Sequence, residues 1–329
     1  MFEPRRFRLA LLSVAVLGVA LTTTACSRSS NDSSSSGKKR IAFVVGITSD
    51  AFYQKAHEGA AEEAKKLGVD LIYQGPAEFT PASQTPVLDS LLTKKPDAMA
   101  IAPTDPAAMV APVRRWSQAK IPVVTYDSSL TDPGFPIVSS IQSNNLAGGK
   151  KAADLLAQQI GGAGKVALIS TDTSNLVQAD RATGFRQQMK AKYPKIQVVA
   201  SQLVGDDYPR AQTFVQTIAA KYHDLKGYFT TCSFCTEYAA KGLEGLHKQS
   251  SIAQIGYEAG PKEISYLRSG VLRAVVAQDP AEEGRRAVEY ATAAANGKSA
   301  PKTVQLQPVA ITKANVDQMQ RYYYQTSGE

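Results

Sequence analysis

The 329-residue chain is 43% hydrophobic, 20% charged and 8% aromatic, close to the soluble globular average, which excludes collagen, coiled coil and wholesale disorder. Of the formal net charge of +8, residues 1–26 carry +2 and residues 27–40 carry +3, leaving +3 on the folded body. That excess is too small and scattered to form the basic face that nucleic-acid phosphates require, and the length beyond residue 26 suffices for about two domains, each able to bury its own core.

A basic start with Arg5, Arg6 and Arg8 leads into an apolar run over 9–21 and then into Thr-Thr-Thr-Ala-Cys at 22–26. This is secretory signal grammar, and the run is shorter than the roughly 20 residues of a comfortable membrane span. Its end resembles the bacterial lipoprotein box, whose cysteine is diacylated and becomes the new N-terminus. The resemblance makes Cys26 the lipidation site, although Thr23 stands where the box usually carries leucine; ordinary cleavage near Ala25 is the alternative. Residues 27–37 are dominated by serine and cannot collapse into a core, so 27–39 reads as a flexible tether. The expected location is extracytoplasmic, periplasmic or cell-surface, with the protein held to the cell membrane only by its lipid anchor.

From residue 40 onward one unit recurs. Residues 41–45 form a β-rich apolar run ending in Gly46, and 52–67 follow with Ala56, Ala60, Ala64 and Leu67 on one helical face. Further strands are expected at 69–73, 98–102, 121–125, 165–169, 196–200, 227–230, 252–255 and 272–276, with room for a helix between nearly all of them. Such alternation predicts an α/β fold with parallel sheets covered on both faces by helices. With four or five strands on either side of residue 143, two similar lobes are more economical than one giant sheet. Trp116 shares a helical face with Met109 and Val113, which points to core packing. Residues 161–165, Gly-Gly-Ala-Gly-Lys, precede a strand and lack a Ser or Thr after Lys165, so they read as a turn and not a phosphate loop. Gly-x-Ser-x-Gly and His-Glu-x-x-His are both absent from the sequence, which removes the simplest hydrolase and metalloprotease readings.

Ligands of such sheets bind outside the carboxyl ends of the strands, and the loops there hold the informative residues. In the first half these are 48–53, 103–105 and 126–128; in the second, 171–181, 206–208, 231–235, 257–260 and 278–280. Acids, amides and aromatics facing one crevice suit a polyhydroxylated ligand, because carboxylates and amides bond paired hydroxyls while rings cover C–H faces. Any single residue such as Asp50 or Asp206 can instead be a helix N-cap. Cys232 and Cys235 form the only Cys-x-x-Cys of the sequence, between a strand and a helix. A local disulfide, a cavity-lining thiol pair and a redox centre all remain open for it, while metal binding is disfavoured because His57, His223 and His247 are the only histidines.

These residues, taken in order, resemble the ribose-binding-protein-like family of type I periplasmic binding proteins, the sugar-binding components of ABC importers. The resemblance spans roughly residues 40–310 and rests on the first loop, 101–105, 121–127, 143–149, Arg-Ala-Thr-Gly-Phe at 181–185, 255–258 and Ala277-Gln278. It implies two lobes, each a parallel sheet flanked by helices, joined by a three-stranded hinge, with 40–143 plus 279–305 in the N-terminal lobe and 144–278 plus 306–329 in the C-terminal lobe. It also implies a site made of Asp50 as a polar contact, Phe52 and Tyr53 as stacking rings, Asp127 as the sugar-gripping acid, Arg181, Tyr208 as a closing aromatic, Tyr257, Glu258 and the hinge residue Gln278. Ser128 stands where the family usually has arginine, and 232–235, with Cys232, displaces its asparagine.

The resemblance implies no enzyme, no cofactor and no metal, but a monomeric solute receptor that delivers a sugar or polyol to an ABC permease. A receptor reporting to a sensor or chemoreceptor is the closest alternative, and a thiol–disulfide oxidoreductase using Cys232 and Cys235 the more distant one. Asp50, Asp127 and Glu258 set against Arg181 leave the crevice short of cations, so the ligand is expected to bring donors as hydroxyls or a protonated amine. Because the tether carries no core, a chain starting at Lys38 is expected to fold and to bind ligand as tightly as the full chain; isothermal calorimetry on both checks this.

Overall fold

A computed structural model describes residues 37–171, 176–205 and 207–324. The leader with Cys26, the tether up to residue 36, residues 172–175 and Asp206 lie outside the described residues. The compact unit beginning at Lys38 contains two six-stranded sheets. The first comprises β1 (Arg40–Val44), β2 (Asp70–Gln74), β3 (Ala98–Ile101), β4 (Val123–Tyr126), β5 (Ser139–Ser143) and β11 (Thr303–Leu306). The second comprises β6 (Gly164–Ser170), β7 (Ile196–Leu203), β8 (Leu225–Thr230), β9 (Ala253–Tyr257), β10 (Leu272–Ala277) and β12 (Val309–Thr312). The spatial orders, β11-β5-β4-β3-β1-β2 and β12-β10-β9-β8-β6-β7, are the same doubly wound pattern used twice. Every pairing is parallel except β10 with β12.

Among the described residues the helices are α1 (Ala51–Leu67), α2 (Pro81–Thr93), α3 (Val110–Gln118), α4 (Asn145–Gln159), α5 (Leu176–Lys192), α6 (Pro209–Lys221), α7 (Ser233–Gly245), α8 (Pro261–Ser269) and α9 (Pro280–Ala295). None of them is long and apolar enough to cross a membrane. Their ends follow from local chemistry. Asp50 caps α1 by accepting from the Phe52 N–H at 2.8 Å, and Gly68 ends it at φ 68°. Asp279 caps α9, Pro280 opens it, and Glu282 and Glu283 sit in its first turn, where carboxylates suit the positive end of the helix dipole.

The central strands are mostly apolar because helices cover both of their faces. Ile41 and Phe43 pack in a cluster with Ala56, Ala60 and Ala287, while Ala42 and Val44 pack with Leu88, Leu91 and the fully buried Trp116. Trp116 is thus in the core, as its spacing predicts. Strands β5, β11 and β12 were not among the expected strands. β5 reads Ser-Ser-Ile-Gln-Ser and alternates buried with half-buried positions, while β11 alternates exposed with half-buried ones; neither carries the apolar run that marks a central strand.

Glycines bring two helix pairs into backbone contact, and both pairs carry site residues. A Cβ on Gly284 of α9 would lie 1.9 Å from the Ala56 carbonyl oxygen of α1, and one on Gly149 of α4 would lie 2.0 Å from the Arg181 carbonyl oxygen of α5. These neighbours are backbone and cannot swing aside. Gly149→Ala is therefore expected to force α4 and α5 apart and to destabilise the protein by about 1–3 kcal/mol, read as a lowered urea midpoint with an unchanged m-value.

Candidate functional site

The site lies at the carboxyl ends of the central strands of both sheets. In the first sheet, the Asp50 cap fixes the start of α1 and so places Phe52 and Tyr53 in its first turn, both buried. The Tyr53 hydroxyl donates to Asp127 Oδ2 at 2.7 Å, and its ring stacks with Phe79, 6.3 Å between centroids. Phe52 meets the Tyr53 ring edge-on at 5.1 Å and the Tyr324 ring edge-on at 5.8 Å. In the second sheet, Arg181 is buried on α5 and is the hub of the wall. Its Nε donates to Asn145 Oδ1 at 2.8 Å, and its Nη1 donates to the Thr231 carbonyl at 2.9 Å and to Glu258 Oε1 at 2.8 Å. The guanidinium carbon lies 3.8 Å from the Tyr257 ring centroid, a cation–π contact in a desolvated place.

Glu258 collects donors from three directions. Oε1 accepts from Arg181 and, at 2.8 Å, from Gln278 Nε2; Oε2 accepts from the Tyr324 hydroxyl, which in turn accepts from the Gln278 backbone N–H at 3.2 Å. Asp127, after β4, and Glu258, after β9, adopt φ of 61° and 80°. Left-handed backbone at residues other than glycine costs about 1–3 kcal/mol and concentrates at functional sites. Here it turns each carboxylate off the end of its strand.

Burial pushes Asp127 up to about 6, against the Tyr53 hydrogen bond and the charge of Arg181. Burial likewise pushes Asp50 up to about 6, helped by the negative charges of Glu258 and Glu237. Burial and Asp127 together hold the Glu283 carboxyl well above its ordinary value; Glu283 Oε1 accepts from Ser143 Oγ at 2.7 Å. Glu263, behind this wall, is pushed up to about 8 by burial and accepts from Ser233 Oγ at 2.5 Å. The expected acids and cation are therefore close neighbours. Arg181 is committed to Glu258, and neither Asp50 nor Asp127 has an ion pair among the described residues.

Asp50 caps α1, as the helix-cap reading expects, and Glu258 is buried. Ser128 is buried, its N–H on the Tyr126 carbonyl at 2.6 Å. Tyr208 lies with its ring 5.0 Å from that of Phe234, between the two cysteines. Cys232 and Cys235 are joined in a disulfide, and Cys232 caps α7. Of the readings left open for the pair, this is the local disulfide. Phe79, Asn145, Glu283 and Tyr324 were not singled out from sequence. Asn145 stood in the Ser-Asn-Asn stretch already noted at 143–145; Glu283 reads as an ordinary first-turn acid, and nothing local marks Tyr324. Gln278 Oε1, Tyr257 Oη, Thr171 Oγ1 and Glu283 Oε2 are buried and make no hydrogen bond among the described residues, as is also true of core atoms such as Trp116 Nε1. No three His, Cys, Asp or Glu among the described residues are placed to hold a metal ion.

A solute-binding protein of an ABC transporter from Agrobacterium vitis, solved with α-D-tagatopyranose, superposes with a TM-score of 0.83 at 34% identity, covering 88% of this chain and all of that one. The ribose import binding protein of Salmonella typhimurium is 28% identical over 287 residues, 87% of this chain and 93% of that protein. The D-allose-binding periplasmic protein of Escherichia coli is 26% identical over 250 residues, 74% of this chain and 80% of that protein. The profile of the periplasmic binding protein domain matches residues 41–299, and with its two doubly wound lobes of the type I arrangement the chain belongs to the periplasmic binding protein family.

Proposed function

We propose that this protein is the extracytoplasmic solute-binding component of an ABC importer, that it is not an enzyme, and that it binds a sugar or polyol between its lobes. The observation that carries this reading is the buried network at the strand ends, in which Phe52, Tyr53 and Asp127 of the first lobe are joined through Tyr324 to Arg181, Glu258 and Gln278 of the second. Aromatic rings beside carboxylates and an amide are the equipment for gripping hydroxyls while covering C–H faces. Relatives named for ribose, allose and tagatose support the ligand class.

The lobes in this proposal comprise 40–143 with 279–305 and 144–278 with 306–329, and the three connections between them act as a hinge. Ligand bonds both lobes only when the hinge is shut, so it shifts the population toward the closed form, which the permease distinguishes from the open one. Lipidation at Cys26 and the tether over 27–39 keep a monomeric receptor at the membrane surface.

Within the sugar class, an amine-bearing ligand is favoured. The Arg181–Glu258 pair cancels its own charge, and Asp50 and Asp127 then offer acceptors with no cation of their own. Asp127→Asn keeps the shape and suits φ 61° but replaces an acceptor oxygen by a donor. It is expected to cost about 1.5–3 kcal/mol of affinity with little change in melting temperature without ligand; unchanged affinity in calorimetry would remove Asp127 from the site.

pH gives an independent check. Burial raises the Asp50 and Asp127 carboxyls to about 6 in the folded chain, above their ordinary value of 3.8. Between those values the folded chain holds more protons than the unfolded one, so these groups make ligand-free stability fall as pH rises from about 4 through 6. Affinity for an amino sugar should rise over the same range as the carboxyls ionise, whereas a neutral sugar should respond less. Titrations at pH 5 and pH 7.5 with glucosamine and glucose test the difference, and tighter binding of an acidic sugar such as glucuronate would overturn the charge argument.

A further inference from the structure

After β12 the chain runs back over the junction between the sheets, and it is pinned along its way. Asn315 Oδ1 accepts from the Thr312 N–H at 2.7 Å, Arg268 Nη2 bonds Asp317 Oδ1 at 3.1 Å, and the Tyr323 hydroxyl donates to the Val316 carbonyl. Arg321 Nη2 reaches Asp279 Oδ2, at the cap of α9, at 3.0 Å, and the Tyr324 N–H donates to the Ala259 carbonyl at 3.0 Å. The consequence is a fixed position for the Tyr324 side chain, which is 3% exposed. Its hydroxyl holds Glu258 Oε2 and the Gln278 N–H while its ring edge meets Phe52. One ring thus touches the stacking candidate of one lobe and the carboxylate of the other.

We propose that Tyr324 is a specificity-determining residue of the cleft. Its ring is a wall that limits the size of the ligand, and its hydroxyl takes Glu258 Oε2 so that the ligand cannot use that acceptor fully. The inference rests on the sugar-binding reading above. A carboxylate offers about four acceptor positions, and Glu258 already fills three of them with Gln278, Arg181 and Tyr324. A packed ring held by bonds on both sides does not make room for an extra methylene without strain, so selection between a pentose and the hexose that carries one more hydroxymethyl group falls on this residue.

The test uses the full chain, Tyr324→Ala and Tyr324→Phe, with melting temperatures recorded without ligand and affinities measured by calorimetry. The probes are D-ribose with D-allose and L-arabinose with D-galactose, pairs whose pyranose rings differ by one hydroxymethyl group. Tyr324→Ala is expected to shift the hexose-to-pentose affinity ratio toward the hexose by about ten- to a hundredfold. Tyr324→Phe, which keeps the wall and frees Glu258 Oε2 for a ligand hydroxyl, is expected to strengthen both members of a pair by up to about tenfold with their ratio unchanged. A purely structural role would lower the melting temperature without moving the ratio. If Tyr324→Ala does not fold, Tyr324→Leu, which removes the ring but keeps an apolar side chain, takes its place, and an unchanged ratio there overturns the proposal. Wild-type binding with an unchanged ratio in Tyr324→Ala overturns this inference alone; a wild type that binds none of the four sugars overturns it together with the sugar reading.

Discussion

The buried pair of Arg181 and Glu258, 2.8 Å apart, is the contact on which the rest of the site depends. Removing two charges from water costs several kcal/mol per ion, and their attraction offsets that only when the remaining hydrogen-bonding capacity is met. Here Asn145, Thr231 and the Tyr257 face complete the guanidinium environment, and Gln278 and Tyr324 complete the carboxylate. These partners come from α4, the β8–α7 loop, the ends of β9 and β10, and the segment after β12. A single ion pair therefore ties together every piece of chain that reaches the second wall, and the backbone contact at Gly149 sets how closely α5 can bring the arginine to it.

The first wall is built on the opposite principle. Asp127 receives one side-chain donor, from Tyr53, and burial leaves both it and Asp50 near the protonation boundary. The ion pair of the second wall is held by several partners, whereas the carboxylates of the first wall have acceptor capacity to give. On the proposed reading, a ligand that donates to Asp127 of the first wall and bonds Gln278 of the second would gain both contacts only with the lobes shut, and such differential contact is what a ligand must have to shift a two-state equilibrium.

The architecture was legible because burial writes itself into sequence. Strands covered on both faces, such as Arg40–Val44 and Ala98–Ile101, are short apolar runs, and the loops after them inherit the positions where ligands bind. Arg181, Asp127 and Gln278 could be picked out by their place after or near such strands together with the family resemblance. The strands Ser139–Ser143 and Thr303–Leu306 could not: the second lies at the sheet edge, the first lies next to it, and neither carries a continuous apolar run. Glu283 was hidden because a first-turn glutamate is ordinarily a solvated group answering the helix dipole; only packing reveals that it is wholly buried beside Asp127. Tyr324 was hidden for another reason. Its role is set by a contact with Glu258, 66 residues away in sequence, and no local periodicity encodes such a contact.

The two departures from the family pattern act in the same direction. Ser128 replaces an arginine, and its buried backbone turns on Tyr126 instead of sending a cation into the crevice. The Cys232–Cys235 disulfide takes the stretch where the family has an asparagine, clamping the loop so that it offers Arg181 the Thr231 carbonyl, an acceptor. Each change removes a donor from the candidate site, while Asp50 and Asp127, once ionised, and the unbonded Gln278 Oε1 remain as acceptors. Buried acceptors without donors cost about 1–3 kcal/mol each. On the proposed reading the balance of hydrogen bonds would come from the ligand, and a donor-rich sugar or polyol would complement these acceptors better than an acid of the same size.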